Sequence, residues 1–240
     1  MWMICKKEWQ QFFSSLTGYI AIVIFLLLTG LFLFVFPDTS LLDFGYASLN
    51  SFFNLVPWIL LFLIPTITMR SFADEYKSGT FEILKTLPLN TFQIVWGKFL
   101  GTLFIVITAL LPTIIYAISI QQLSSIGGID IAATVGSYIG LFFLSAVFTA
   151  IGICSSSFTN NTVIAFIAGA FVCFLLYTGF EAVSKLPALK GGWDYYTEMI
   201  GINFHYKSLS KGVIDSRDII YFSGLIILFL LVTQRNLLKK

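Results

Sequence analysis

The chain has 240 residues, 58% hydrophobic and 11% charged, with a net charge of +2 and a mean hydropathy of +0.91. Soluble domains carry about 25% charged residues, so this balance excludes a water-soluble globular protein and points to one all-α membrane domain over 1–240. Lysine and arginine are dispersed rather than gathered in a stripe, which excludes nucleic acid as an expected partner.

Residues 2–16 come first. Trp2, Cys5, Trp9, Phe12, Phe13 and Leu16 fall on one arc of a helical wheel, with Lys6 at its edge and Lys7, Gln10 and Gln11 outside it. This predicts an amphipathic helix lying at the membrane interface. The long apolar run that follows has no small-residue cleavage site, so a removed signal peptide is not expected.

Six runs are long enough to cross a hydrocarbon layer of roughly 30 Å, some only with their flanks. They lie near 17–36, 52–70, 98–120, 132–154, 162–183 and 218–235. Pro57 and Pro65 in the second and Pro112 in the third predict kinks. The link 155–161, SSSFTNN, predicts a turn, and Asp218 is a candidate N-cap for the last run.

The stretch 70–98 interrupts this pattern with Arg70, Asp74, Glu75, Lys77, Glu82, Lys85 and Lys98. At roughly 2.5–3.5 kcal/mol per charge at the bilayer centre it cannot be a span. Gly79-Thr80 predicts the start of a short helix, with Thr80 as N-cap and Glu82 in its first turn; Pro88 stops it. Ile83, Leu84 and Leu87 share one predicted face, with Phe81 at its edge, and Glu82, Lys85 and Thr86 share the other. Asn90 and Gln93 form a capping-box pattern for the next helix. The residues alone leave two readings of the short helix: docking into a groove on a partner, or lying on lipid.

The connection 184–217 is the second charged stretch, with Trp193, Tyr195, Tyr196, Phe204 and Tyr206 among its charges. Its aromatics predict short helices at the interface rather than a disordered loop. Six spans put both termini on one side, where nine Lys and Arg fall against five on the other, all five within 184–217. The positive-inside rule then makes the termini and the 70–98 loop cytoplasmic.

Several chemistries are missing. No G-x-x-x-x-G-K-[ST] loop is present, so the chain is not expected to bind ATP in that way or to be an enzyme. The single histidine, His205, has no evident catalytic partners, and Cys5, Cys154 and Cys173 lack metal-ligand spacing. The span interiors hold almost no ionisable group, which argues against an ion-coupled transporter. Gly97-x-x-x-Gly101, Gly136-x-x-x-Gly140 and Ala165-x-x-x-Gly169 predict close helix packing, within the bundle or at a dimer seam.

Thr68-Met69-Arg70, Asp74-Glu75, Gly79-Thr80-x-Glu82-x-Leu84 and Pro88 resemble the signature of ABC-2-type permeases. Phe204-His205-Tyr206, Lys211 to Asp215, Asp218 and Tyr221-Phe222 resemble the stretch before the last span of that family. The subgroup most similar is the gliding-motility-associated permease of Bacteroidota; permeases linked to copper-enzyme maturation share much of the pattern. The resemblance implies an ABC-2, type V exporter-like half-transporter that pairs with a second permease, identical or a larger gliding-associated subunit, and binds two ATPase subunits. It implies that Glu75 and residues 79–84 with Leu87 serve ATPase coupling, and that 184–217, with Trp193, Phe204, His205, Tyr206 and Asp215, is an outer re-entrant element. ATP and magnesium would be held by the partner ATPase, this chain would bind no cofactor, and its place would be the bacterial inner membrane. A competing expectation is a non-transporting subunit that passes ATPase strokes to an outer-side partner.

Overall fold

A computed structural model describes residues 1–36, 48–86, 88–124, 128–187, 192–212 and 215–239; among them every regular element is helical. Helix α1 (Trp2–Phe13) gives way to α2 (Leu16–Phe34), which Ser15 caps by accepting from the Gly18 amide at 3.2 Å. Helix α3 (Asn50–Thr68) runs through Pro57 and Pro65 and passes at Met69 into α4 (Arg70–Ser78). Gly79 ends α4 at φ +70°, a conformation open to a residue without Cβ, and α5 (Thr80–Thr86) follows. The predicted capping box opens α6 (Thr91–Leu110), with the Gln93 side chain accepting from the Asn90 amide at 3.3 Å.

Pro112 interrupts the third run with a 3₁₀ turn, Leu111–Thr113, before α7 (Ile114–Leu123). Asp130 caps α8 (Ile131–Phe158) and Asn161 caps α9 (Thr162–Phe174), each through its side-chain oxygen. A π-helical turn, Leu175–Gly179, not expected from the residue pattern, leads into α10 (Phe180–Ser184). Two short helices, α11 (Trp193–Met199) and α12 (Ile202–Ser210), fill the 184–217 connection, and α13 (Ser216–Lys239) completes the chain.

Among the described residues, six helical runs are long and apolar enough to cross a membrane: Leu16–Phe34, Asn50–Ser78, Thr91–Leu123, Ile131–Phe158, Thr162–Ser184 and Ser216–Lys239. They match the six expected runs, and the protein is a multi-pass, all-α membrane protein. Helix α8 is the central span, with 78% of its most apolar window buried against 22% for α2 and α13. Close approach explains why: a Cβ on Gly152 would sit 2.1 Å from Thr68 Oγ1 of α3, and one on Gly136 would sit 2.7 Å from Gly212 Cα. The small-residue patterns therefore pack inside the bundle. Gly97 and Gly101 seat α1, since a Cβ on either would lie 2.9 Å from the Cβ of Ile4 or Glu8.

Two expected boundaries move. Ser155 to Phe158 belong to α8 rather than to a turn, because Ser156 and Ser157 find buried partners there. Asp218 does not cap the last span; Asp215 does, its Oδ1 accepting from the Arg217 amide at 3.0 Å. Asp218 sits in the first turn of α13, where its carboxylate serves a different partner.

Candidate functional site

At the end of the bundle that carries both termini, three elements meet on one buried ammonium. Lys98 of α6 is 1% exposed, and its Nζ donates to Glu8 Oε1 of α1 at 2.8 Å and to the Ser71 carbonyl of α4 at 2.6 Å. Its third neighbour is Glu75 Oε1 of α4 at 2.9 Å, so three N–H groups meet three acceptors. Lys7 reaches the same Glu75 oxygen at 2.9 Å from the surface, and the Phe72 ring lies 4.8 Å below Lys98. Two carboxylates thus face two ammonium groups. Such a cluster repays its desolvation only when its geometry and hydrogen bonds are complete, which makes it specific to one arrangement of α1, α4 and α6.

Helix α4 is also fixed to the central span. Ser156 Oγ of α8 accepts from the amides of Phe72 and Ala73 at 3.0 and 3.1 Å and donates to the Met69 carbonyl at 2.9 Å. A hydroxyl there supplies a further partner to amides in the first turn of α4, as a cap does. Asn236 near the end of α13 donates to the Ser157 carbonyl at 2.7 Å, so the last span joins the same group.

Helix α5 hangs on this platform and turns inward part of the apolar face expected to dock on a partner or lie on lipid. Phe81 and Leu84 are buried, at 7% and 8% exposure, against Phe72, Ile94, Phe99 and the residues around them. The Phe81 ring meets the Tyr76 ring edge-on at 4.9 Å, and Lys85 Nζ lies 5.3 Å over it. Ile83, expected to share the face of Leu84, is 65% exposed beside exposed Glu82 and Lys85. The physical reason is that α5 folds back on α4: the buried stripe is set by Phe72 and Tyr76, which Phe81 and Leu84 can reach and Ile83 cannot. Leu87 lies outside the described residues. Thr80 is the first helical residue rather than a cap; its hydroxyl pairs with Ser78 Oγ at 2.9 Å. Glu75, expected to face a partner, is turned inward on Lys98.

At the opposite end, α12 is locked to α13 and α3. His205 Nδ1 lies 2.7 Å from Asp218 Oδ1, its Nε2 lies 2.9 Å from the Met199 carbonyl, and its ring stacks on Tyr221 at 3.9 Å. A carbonyl can only accept, so Nε2 is the donor in that contact, and Nδ1 is left facing the carboxylate. Tyr206 donates to the Phe53 carbonyl at 2.7 Å, and burial pushes its phenol well above the usual range. Glu181 of α10 accepts from Asn203 and Lys207 of α12. Phe204 packs edge-on to Tyr195 of α11, whereas Trp193 is 73% exposed and Asp215 only caps α13. His205, Tyr206 and Phe204 therefore hold the short helices in place, and among the described residues no group of three or more His, Cys, Asp or Glu could hold a metal ion.

Sequence reasoning missed Glu8, Ser156 and the partnership of Lys98. The available signal was a lysine beside the close-packing Gly97 and Gly101 at the mouth of an apolar run, which needs a carboxylate from whatever helix lies on those glycines. A family model for ABC-2 family transporter proteins matches residues 44–206, about two-thirds of the chain. The chain belongs to the ABC-2 transporter family. It is thus a membrane component of an ABC transporter, a class of subunit that is not itself catalytic and that works with an ATPase. Comparison with curated proteins gives no match.

Proposed function

We propose that this permease subunit takes up the movement of a separate ATPase through the α4–α5 pair and passes it to the spans as a rigid push. The single observation that carries this reading is the Lys98 cluster, which binds α4 to α1 and α6, while Ser156 binds it to α8. A force on α5 is then shared by four helices rather than absorbed in a loop, because packed and fully bonded elements move as units. The outward groups of α5 are Glu82, Ile83 and Lys85, an apolar side chain between opposite charges.

In this reading the termini and α5 are cytoplasmic in the bacterial inner membrane, as the excess of Lys and Arg at that end supports. ATP and magnesium sit on the ATPase, and a second permease, identical or larger, completes the pore. The resemblance of the 68–88 and 204–222 motifs supports export in the gliding-motility system, with copper-enzyme maturation as the related alternative. One observation favours a non-transporting subunit that relays strokes to an outer partner: α8 fills the centre of the bundle with buried Leu141, Leu144, Val147, Phe148 and Ile151.

The test is capture of the ATPase on the tagged permease. Burying an isoleucine stabilises a contact by about 1.5–3 kcal/mol, and 1.4 kcal/mol is about a factor of ten. Ile83→Asp should lower capture at least tenfold at normal abundance, and Thr86→Asp much less. Full retention by Ile83→Asp would remove α5 as the docking element.

A further inference from the structure

Helix α1 does more than rest on α6. Beside the seam made by Gly97 and Gly101, the two helices leave an open groove of ≈ 390 Å³. It is lined by buried Cys5, by Trp2 and Trp9 of α1 and by Phe104 and Thr108 of α6, with exposed Lys6 and Gln10 completing the lining. Phe104 and Thr108 lie about 4.5 and 10.5 Å further along the span than Gly101. The groove therefore starts at the level of α1 and runs into the apolar layer. Thr108 Oγ1 donates to the Phe104 carbonyl at 2.8 Å, so this residue offers the groove no free hydroxyl proton.

The two adjacent lysines of α1 divide their work. Lys7 is held by Glu75 at 2.9 Å, whereas Lys6 is exposed and makes no ion pair among the described residues. Trp2 and Trp9 are 71% and 44% exposed, with rings suited to the boundary between headgroups and hydrocarbon. A ligand that fits has an apolar tail for the lower part and an anionic head within reach of a lysine ammonium at the top.

We propose that this groove is a binding site for one anionic phospholipid of the leaflet at the terminal end, with an acyl chain along Phe104 and Thr108 and its phosphate at Lys6. Charge complementarity selects the occupant: a zwitterionic lipid could fill the apolar part but would gain less from Lys6. One lysine near an anionic headgroup contributes a preference of about fivefold. Because the lipid would touch α1 and α6 together, it would sit against the elements that Lys98 joins. The proposal rests on α6 being a span and is independent of which protein docks on α5.

Native mass spectrometry of the full chain, released from detergent with equal phosphatidylglycerol and phosphatidylcholine, tests it. The parent should retain one phosphatidylglycerol in preference to phosphatidylcholine. Lys6→Gln should cut that preference about fivefold with thermal stability unchanged. Lys77→Gln, which removes an exposed lysine at the same end but outside the groove, should leave it intact. Thr108→Trp, which fills the lower part, should remove the retained lipid of either kind; if that variant fails to fold, the two lysine variants still decide. Equal retention by Lys6→Gln and the parent would overturn the site, as would an equal loss in Lys77→Gln. A dimer peak that Thr108→Trp abolishes would assign the groove to a second copy instead and would likewise overturn it.

Discussion

Lys98 and Glu8 meet at 2.8 Å across the seam where α1 lies on Gly97 and Gly101, and the lysine is 1% exposed. Such a pair adds little stability compared with an apolar replacement, yet breaking it is costly, since the carboxylates lose their cation. Lys98→Met alone should destabilise the protein by about 3–5 kcal/mol. Adding Glu8→Gln and Glu75→Gln to it should recover much of the loss. Thermal unfolding in detergent measures both. A single variant as stable as the parent would mean that α1 is not fixed in this way.

Leu84 and Ile83 are neighbours in sequence and opposites in environment, at 8% and 65% exposure. Leu84→Ala should cost about 2–5 kcal/mol through the cavity it opens among Phe72, Phe81 and Ile94. Ile83→Ala should stay within about 0.5 kcal/mol. Unfolding midpoints of the isolated permease give the comparison directly. Equal effects would mean that α5 does not pack on α4 through the Phe81–Leu84 face.

The spans were legible because their signal is local: an apolar run of sufficient length fixes a crossing helix whatever surrounds it. The capping box at Asn90 and the interruption at Pro112 are local too, and both are present. What could not be read is long-range pairing. Glu8, Glu75 and Lys98 lie up to 90 residues apart and share no periodicity, so only the seating of α1 on two glycines brings them together. Which side chains of α5 pack inward could not be read for the same reason. Seven residues present several possible apolar stripes, and the choice between them is made by the rings of Phe72 and Tyr76 on the preceding helix. Asp218 looked like a cap by position, but a histidine on another helix claims it.

Cys5 gives a pH prediction. Burial pushes its thiol above the ordinary value of 9.0, and the nearby Glu8 carboxylate adds to the rise. A raised pKa means that the folded state favours the neutral thiol; that contribution is fully present below the unfolded value and is lost as pH rises through the folded one. The thiolate is the reactive species, so Cys5 should alkylate slowly at neutral pH in the native protein. Its rate should still be climbing above pH 9, where an unfolded control has begun to level off. Glu8→Gln removes one cause of the shift and should move the native profile to lower pH. Measuring iodoacetamide labelling of a Cys154→Ala, Cys173→Ala variant across pH isolates this thiol; a profile that overlays the unfolded control would contradict the burial of Cys5.

The His205–Asp218 pair predicts an asymmetry. Both side chains are buried, and Asp218 Oδ2 has no other partner among the described residues. Removing the imidazole leaves the buried carboxylate without its hydrogen-bond partner. Removing the carboxylate is milder, because the ring keeps its Nε2 contact with the Met199 carbonyl and its stacking on Tyr221. His205→Ala should destabilise the protein by about 3–5 kcal/mol and Asp218→Ala by clearly less. The double variant should show a coupling of about 0.5–3 kcal/mol, as expected for residues in direct contact. Denaturant unfolding of the three variants and the parent completes the cycle. Equal losses from the two single variants, or simple additivity in the double, would show that the His205–Asp218 contact does not hold the short helices to the last span.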